Sequence, residues 1–326
     1  MNRKIFKIVL AAVLVCGISP VFGRLRVGLR FNRTRYMQYE HIYACVTIRN
    51  DSGKPLLFGS RPELQGFVVF DVRDKSDRLI PRRKGMEISV QGLYLAPGEI
   101  KNMVIPLHRY YDLRKEGIYY VHASVSHNKL PREYHSSAQP LRISGGSVLW
   151  ERTVGLPDKS ADTSDETERT YSICKVEGDQ RVKYYYLRVE NDRRVYAVTR
   201  LGVVQSHMDF QAQVDMLSRL HLLIPVAPKI YHYMSFNSDG ALLENSYWKV
   251  FGTVPMLYRN PKTGQVTRMG GEPAKEGVDY DDPKKGSLTV AEILDGDNNS
   301  KPAPHKDGGV VDLGEGLMPV KAADED

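Results

Sequence analysis

The stretch YEHIYACVTIRNDSGKPLL, residues 39–57, places the strongest constraint on the fold of this chain. Every second residue from Ile42 to Ile48 is apolar, which is the period of a strand with one buried face. Residues 50–55 then supply the Asn, Gly and Pro that end a strand in a tight turn. A strand followed by such a turn is the unit of an antiparallel sandwich. Most of the chain repeats this pattern, so the sequence predicts a mainly β fold.

Residues 1–23 have the composition of a secretory signal peptide. A basic start precedes an apolar run over residues 5–18, and residues 21–23 are small or apolar, as a signal peptidase requires. An uncleaved membrane anchor is the alternative, but the run is shorter than the roughly 20 residues that span a bilayer. Lipidation of Cys16 is disfavoured because the bulky Val15 precedes it. We therefore expect an exported protein, periplasmic or extracellular, with no integral membrane span after cleavage.

Cleavage after residue 23 leaves two cysteines, Cys45 and Cys174. Each lies in an apolar strand pattern, which favours a small buried side chain over a disulfide bridge, although the sequence leaves their pairing open. So few cysteines in a large exported chain are typical of a bacterial protein.

The charges divide the chain into a basic body and an acidic tail. Residues 24–271 contain 37 basic and 25 acidic side chains, whereas residues 272–326 contain 14 acidic and 6 basic ones. The basic residues are spread along the predicted strands rather than clustered, so nucleic-acid binding is not expected. Weak attraction to anionic envelope polymers or membrane surfaces is one consequence of the charge, and solubility alone is the other.

The first domain, residues 24–145, is predicted to be an all-β sandwich. Short apolar runs separated by turn signals, without a helical pattern, indicate seven strands. These predicted strands cover residues 27–31, 41–49, 67–72, 87–95, 100–107, 118–126 and 141–143.

The turn and core residues of this domain resemble the immunoglobulin-like or macroglobulin-type β-sandwich modules of exported bacterial proteins. The matching positions are Asn50, Ser52, Gly53, Pro55, Leu56, Leu95, Pro97, Gly98, Glu99, Gly117, Tyr119, Val121, Ala123 and Val125. The resemblance covers residues 24–145 and implies a module that acts as a spacer, an adhesive platform or a partner-binding surface. Such modules share no catalytic residues.

The second domain, residues 146–271, is predicted to be β-rich with one short helix. Apolar residues at Phe210, Val214, Leu217 and Leu220 share one helical face, which predicts that helix over residues 209–220. A second sandwich or a small open barrel fits this pattern. Its predicted strands cover residues 148–154, 171–176, 183–189, 195–201, 221–226, 230–236, 242–250, 255–258 and 265–269.

Residues 157–169 and 272–326 are too polar to form a core of their own. The first segment is predicted to be a loop, and the second a largely disordered acidic tail. Residues 295–299 resemble the start of a calcium loop, but Ser300 and Lys306 occupy positions where such a loop needs Gly and Glu. We therefore predict no calcium site there.

No nucleophile, zinc or nucleotide-binding motif occurs in the sequence. His122 and His127 are five residues apart on one predicted strand, which places them on opposite faces. His221 and His232 lie on adjacent predicted strands and could approach each other, but no third metal ligand is indicated. We therefore predict no catalytic residue, no metal and no cofactor.

Tyrosine clusters are the remaining signal for function. Adjacent residues of a strand point to opposite faces, so one tyrosine of each cluster is expected at the surface, where tyrosine beside Lys or Arg suits sugar stacking or protein recognition. Tyrosine is also a favoured strand residue whatever the function. The predicted recognition surface consists of Tyr110, Tyr111, Tyr184, Tyr185 and Tyr186.

Two functions from different classes follow from these patterns. The first is a non-enzymatic envelope or secreted protein that binds an unidentified envelope protein or glycan, or acts as a scaffold. The second is a hydrolase of an envelope polymer with its site in the second domain, which requires a pocket with converging carboxylates or a Ser/His pair. The sequence does not determine the oligomeric state.

Overall fold

The computed structural model describes residues 24–156, 167–205 and 207–280, together with the backbone of residues 311–312. The chain is mainly β, with several antiparallel sheets and one short α-helix, which confirms the predicted fold class. Within these ranges, no helix is long and apolar enough to cross a membrane. The predicted signal peptide and most of the predicted polar loop lie outside the described residues.

The first domain is a sandwich of two sheets. One sheet has the strand order β1-β3-β7, and the other has the order β2-β10-β8-β5 with β9 paired to β8. Strand β2 runs parallel to β10, and the other pairings named here are antiparallel. The elements are β1 Leu25–Phe31, β2 Arg35–Met37, β3 Tyr43–Asn50, β4 Leu56–Leu57, β5 Gly66–Asp74, β6 Tyr94–Leu95, β7 Ile100–Pro106, α1 Leu107–Tyr110, β8 Gly117–His127, β9 Tyr134–His135 and β10 Gln139–Ser144.

The core of this domain follows from strand alternation. Ala44, Val46 and Ile48 of β3 are fully buried, as are Val121 and Val125 of β8, because each strand turns one face into the sandwich. Six of the seven predicted strands are present.

The predicted strand over residues 87–95 is wrong except at its end, where β6 pairs with β4. Ile88, Val90 and Leu93 are buried in the core, but the chain there is irregular. Alternation in the sequence correctly indicated burial, which an irregular segment achieves without a ladder of hydrogen bonds.

Asn50 connects the turn after β3 to the turn before β7. Its Nδ2 donates to the carbonyl oxygens of Lys54 at 2.8 Å and Leu95 at 3.0 Å, and its Oδ1 accepts from the Ser52 backbone at 3.0 Å. Asn50 is fully buried. One amide side chain therefore satisfies backbone groups of both turns, which explains why a polar residue ends the strongest strand.

The second domain has two main sheets and a separate hairpin. The sheets have the orders β11-β12-β13-β14 and β15-β16-β17-β18-β21, and β19 pairs only with β20. The strands are β11 Ser147–Gly155, β12 Glu168–Glu177, β13 Lys183–Glu190, β14 Val195–Val203, β15 Gln211–Val214, β16 Leu220–Ala227, β17 Ile230–Phe236, β18 Leu242–Lys249, β19 Met256–Arg259, β20 Val266–Met269, β21 Glu272–Pro273 and, beyond this domain, β22 Val311–Asp312.

The helix predicted over residues 209–220 is wrong, because this segment is the strand β15 followed by a turn. Phe210, Ala212 and Val214 pack against one core cluster, so the chain follows a period of two rather than 3.6. Ser218 adopts a positive φ of 58°, which interrupts any helical continuation. The only α-helix among the described residues is α1, in the first domain.

Residues 272–280, at the start of the predicted acidic tail, are part of the second domain. Strand β21 pairs with β18, and Lys249 Nζ lies 3.0 Å from Asp279 Oδ1. Strand β22 runs parallel to β7 opposite Met103 and Val104. The rest of the tail, including the calcium-like residues 295–299, lies outside the described residues.

Candidate functional site

The structure does not form the predicted tyrosine surface. Tyr110 and Tyr111 belong to the core of the first domain, and Tyr185 to the core of the second. Tyr186 is 2% exposed, and only Tyr184 is partly accessible, beneath the guanidinium of Arg200. Four of the five rings, those of Tyr110, Tyr111, Tyr185 and Tyr186, are therefore covered by protein.

Tyr186 belongs to the junction between the two domains. Met37 of β2 is fully buried and packs against Cys174 and Val176 of β12 and Tyr186 of β13. These four residues are called the domain junction below. Cys45 and Cys174 are both buried with free thiols, so no disulfide joins the domains.

Charged groups surround the apolar part of the domain junction. Arg33 donates to the Tyr186 hydroxyl at 3.0 Å and to Glu40 Oε1 at 2.7 Å, and Glu40 Oε2 accepts from the Met37 backbone at 2.9 Å. Burial acts to lower the pKa of Arg33, but the Glu40 carboxylate outweighs it and raises that pKa. Burial raises the pKa of Tyr186 to about 12. Arg33 is therefore charged and Tyr186 protonated at neutral pH.

Gly146 lets the chain pass directly from one domain to the other. It has a φ of 74°, and a Cβ there would lie 2.7 Å from Val176 Cγ2 and 2.8 Å from the Lys175 carbonyl oxygen. Only glycine fits without displacing its neighbours. The predicted domain boundary is thus a close contact rather than a loose linker.

A Ser/His pair lies in a groove on the outer face of the first domain. Ser124 of β8 and His135 of β9 are directly opposite in register, and Ser124 Oγ lies 2.7 Å from His135 Nδ1. The groove has a volume of about 590 Å³, and its lining includes His122, Asp71 and Glu133. Sequence reasoning missed this pair because only the strand register brings the two residues together.

The surroundings of this pair lack other parts of a hydrolase site. Among the described residues, no carboxylate is hydrogen-bonded to His135, and Asp71 is engaged by Arg73 at 2.9 Å. His122 Nδ1 lies 3.3 Å from the Ser136 carbonyl oxygen. A directly opposed Ser and His form a cross-strand hydrogen bond, which accounts for the observed contact.

The second domain contains a buried chain of three titratable groups. His221 Nδ1 lies 2.8 Å from the Tyr233 hydroxyl, and His221 Nε2 lies 3.3 Å from Asp215 Oδ2. Burial lowers the pKa of His221 and raises that of Tyr233 to about 12, whereas hydrogen bonds from Arg219 outweigh burial and lower the pKa of Asp215. A protonated tyrosine beside a neutral imidazole is not an activated nucleophile. The hydrogen bonds between Asp215, His221 and Tyr233 instead connect the turn after β15 to β17.

The remaining histidines form no metal centre within the described ranges, where no group of three potential ligands occurs. His221 pairs with Ser235 and His232 with Ile224, so the two histidines lie on opposite faces of their sheet. The approach that the sequence allowed between them does not occur. His127 packs against Phe58, whereas His122 lies on the outer face of β8.

Unlike these buried groups, the large apolar side chains on the outer face of the hairpin β19–β20 are exposed to solvent. Met256 and Met269 are directly opposite in register, and 53% and 50% of their surfaces are exposed. Tyr258 lies on the same face of the hairpin, and Val254 and Phe251 of the preceding loop are exposed as well. The exposed side chains of Phe251, Val254, Met256, Tyr258 and Met269 are called the hairpin surface below.

The inner face of the hairpin holds this surface outward. Leu257 and Val266 are buried against Leu223 and Tyr233 of the large sheet. The Leu257 backbone donates to Gln211 Oε1 at 2.8 Å. Because strand side chains alternate, burial of one face leaves the other in solvent.

Two consecutive glycines keep the preceding loop beside the hairpin. Gly270 and Gly271 have φ values of 72° and 67°, and a Cβ on Gly270 would lie 2.7 Å from the Val254 carbonyl oxygen. The Gly271 backbone donates to the Thr253 hydroxyl at 3.3 Å. Val254 and Met269 therefore belong to one continuous surface.

The charged side chains within residues 245–271 are all basic, and acidic residues flank this segment at Glu244 and Glu272. Residues 245–271 contain four basic side chains and no Asp or Glu. Arg259 and Lys262 are exposed around the turn of the hairpin. Lys249 pairs with Asp279, and Arg268 lies 3.0 Å above the ring of Trp248. The sequence around Met256 predicted a strand, but it did not indicate which face of that strand would remain exposed to solvent.

A search of protein-family models, curated proteins and solved structures finds no match to this chain.

Proposed function

We propose that the chain is an exported, non-enzymatic binding protein of the cell envelope, and that it binds through the hairpin surface. The signal-peptide pattern of residues 1–23 supports export. The resemblance of residues 24–145 to immunoglobulin-like modules supports a scaffold role for the first domain. In this proposal the first domain supports the second, which carries the binding surface.

The exposure of the hairpin surface is the observation that carries the proposal. Soluble proteins rarely leave contiguous large apolar side chains bare unless that surface meets a partner or a membrane. Here Phe251, Met256 and Met269 are each at least half exposed, although the buried Leu257 and Val266 fix the hairpin that carries the two methionines. The close domain junction supports a scaffold role, because it holds this surface at a defined position relative to the first domain.

Two measurements test the proposal. The full chain is expressed in a bacterial host, where we expect loss of residues 1–23 by mass and recovery outside the cytoplasm. The chain from Arg24 onward is then sedimented with isolated envelope fragments, beside the variant Met256→Ser/Tyr258→Ser/Met269→Ser. The matched control is Val148→Ser/Leu149→Ser, which removes exposed apolar side chains from β11 instead.

We expect the wild type and the control to sediment with the fragments, and the triple variant to stay in solution. Sedimentation of all three proteins, or of none, would overturn binding through the hairpin surface. Retention of residues 1–23 by a cytoplasmic protein would overturn export.

The Ser124–His135 hydrogen bond supports hydrolysis of an envelope polymer as a second candidate function. It lies in an open groove, but in the first domain rather than in the second, where the sequence placed this alternative. If it is catalytic, purified protein should release soluble fragments from the polymer, and Ser124→Ala should abolish the release. Release that persists in Ser124→Ala, or no release by the wild type, would reject this candidate.

A further inference from the structure

We infer that the hairpin surface docks on a lipid surface with anionic headgroups, an inference that rests on the proposed function of this surface. Its central side chains are those of Met256, Met269 and Tyr258, on the outward face of a hairpin that itself lies outside the main sheet. A projecting apolar face of this kind can enter the boundary between headgroups and acyl chains, and its tyrosine suits that depth.

The chemistry of the hairpin surface favours lipid over glycan. Four of its five side chains are Met, Val or Phe, which offer sugar hydroxyl groups no strong hydrogen bonds. A glycan or small-ligand site is concave with converging polar groups, whereas Met256, Tyr258 and Met269 stand on the solvent face of the hairpin with about half of their surface exposed. Flexible methionine side chains adapt readily to disordered acyl chains.

The charges beside the surface favour anionic headgroups. Arg259 and Lys262 are exposed at the hairpin turn and are the basic residues of this segment that the inference uses, since Lys249 is paired with Asp279 and Arg268 stacks on Trp248. Basic residues beside a membrane add attraction to anionic lipid, which salt weakens. The basic body, with 37 basic and 25 acidic side chains over residues 24–271, attracts the same headgroups at longer range.

Direct binding to vesicles tests the inference. The chain from Arg24 onward is used, since residues 5–18 are apolar enough to bind lipid by themselves and no described residue precedes Arg24. It is sedimented with vesicles of phosphatidylcholine alone, or of phosphatidylcholine mixed with phosphatidylglycerol. We expect binding to the mixed vesicles that weakens as salt rises.

Matched variants locate the contact on the molecule. Met256→Ser/Met269→Ser is expected to weaken binding at least tenfold, and Arg259→Gln and Lys262→Gln about fivefold each. The charge-matched control Lys75→Gln/Lys84→Gln removes two exposed lysines of the first domain and should change binding by less than about twofold. Equal losses in both sets would overturn the inference, because binding would then depend on overall charge.

A spectroscopic readout reports insertion itself. In Met256→Trp, the added indole fluorescence should shift to shorter wavelengths with the anionic vesicles, whereas Val148→Trp should not shift. An unshifted spectrum on bound vesicles would also overturn docking through this face.

The two levels of the proposal can fail separately. If the hairpin variant loses binding to envelope fragments while the wild type binds no vesicles, the lipid inference is wrong and the partner is a protein or a glycan. If the wild type binds neither fragments nor vesicles, the proposed function fails as well.

Discussion

The domain junction and the hairpin surface are built from the same residue types and differ in what covers them. Met37 and Tyr186 are almost fully buried, whereas Met256 and Tyr258 are about half exposed. At the junction, one domain supplies the methionine and the other the tyrosine, and Arg33 and Glu40 complete the contact. At the hairpin, no second segment of the described chain packs over the exposed methionine and tyrosine side chains. The junction is therefore a contact that the chain fills by itself, whereas the hairpin surface is the one that we propose meets an external partner.

The largest expected effect comes from removing the tyrosine ring at the junction. Tyr186→Ala should lower the free energy of unfolding by about 3–5 kcal/mol, because it leaves a cavity and removes a buried hydrogen-bond partner. Tyr258→Ala at the hairpin should change it by less than about 0.5 kcal/mol. Denaturant unfolding measures both values. Equal losses would break the comparison, because Tyr258 would then be packed in the free protein.

The second prediction compares two glycine-to-alanine substitutions, one that strains the backbone and crowds its neighbours and one that only strains the backbone. Gly146 at the junction and Gly252 in the loop before the hairpin both have a positive φ, but a Cβ meets atoms under 3 Å away only at Gly146. Gly146→Ala should cost about 1–3 kcal/mol and shift the relative position of the domains, while Gly252→Ala should cost about 1 kcal/mol. Thermal unfolding and small-angle scattering measure the two effects. An unchanged scattering profile for Gly146→Ala would show that the junction accommodates the added methyl group without moving the domains.

A smaller effect is expected from alkaline pH at the junction. Burial raises the pKa of Tyr186 from 10 to about 12, so the folded state retains this proton where the unfolded chain has lost it. Its stabilisation is therefore complete below pH 10 and is lost as pH rises through about 12. Tyr186→Phe should reduce the slope of unfolding free energy against pH in that window. A slope that matches the wild type would show that Tyr186 does not contribute.

The smallest effect on stability is expected from the exposed methionines of the hairpin surface. Met256→Ser/Met269→Ser should leave the free energy of unfolding within about 0.5 kcal/mol of the wild type, because both side chains already face solvent. Calorimetry or denaturant unfolding measures the difference. A loss above about 2 kcal/mol would indicate that the two methionines are covered in solution, for example by a second copy of the chain.

Much of the secondary structure could be predicted from local patterns. The alternation from Ile42 to Ile48 correctly indicated β3, and the Gly and Pro signals correctly located its turn. The segment after Asp209 failed because apolar residues at Phe210, Val214 and Leu217 fit a helical face, whereas the strand uses Phe210, Ala212 and Val214. Short apolar runs satisfy both periods, so their neighbours decide between them.

The candidate sites were much less predictable. The Ser124–His135 pair depends on strand register, and the burial of Tyr110, Tyr111, Tyr185 and Tyr186 depends on what packs over them. A period of two shows that a strand has two distinct faces, but it does not show whether other parts of the protein pack against both of them.

By itself, the sequence determined the strand content, the principal turns and the division into a basic body and an acidic tail. These properties follow from local periodicity, glycine and proline geometry, and composition. Which apolar faces are covered was decided only by the tertiary structure. Arg33 and Tyr186 meet across 153 positions of sequence, while the described chain leaves about half of the surface of Met256 and Met269 exposed. Local alternation indicates that a strand has a buried face, but whether its second face is also covered depends on distant segments of the chain, which no local pattern specifies.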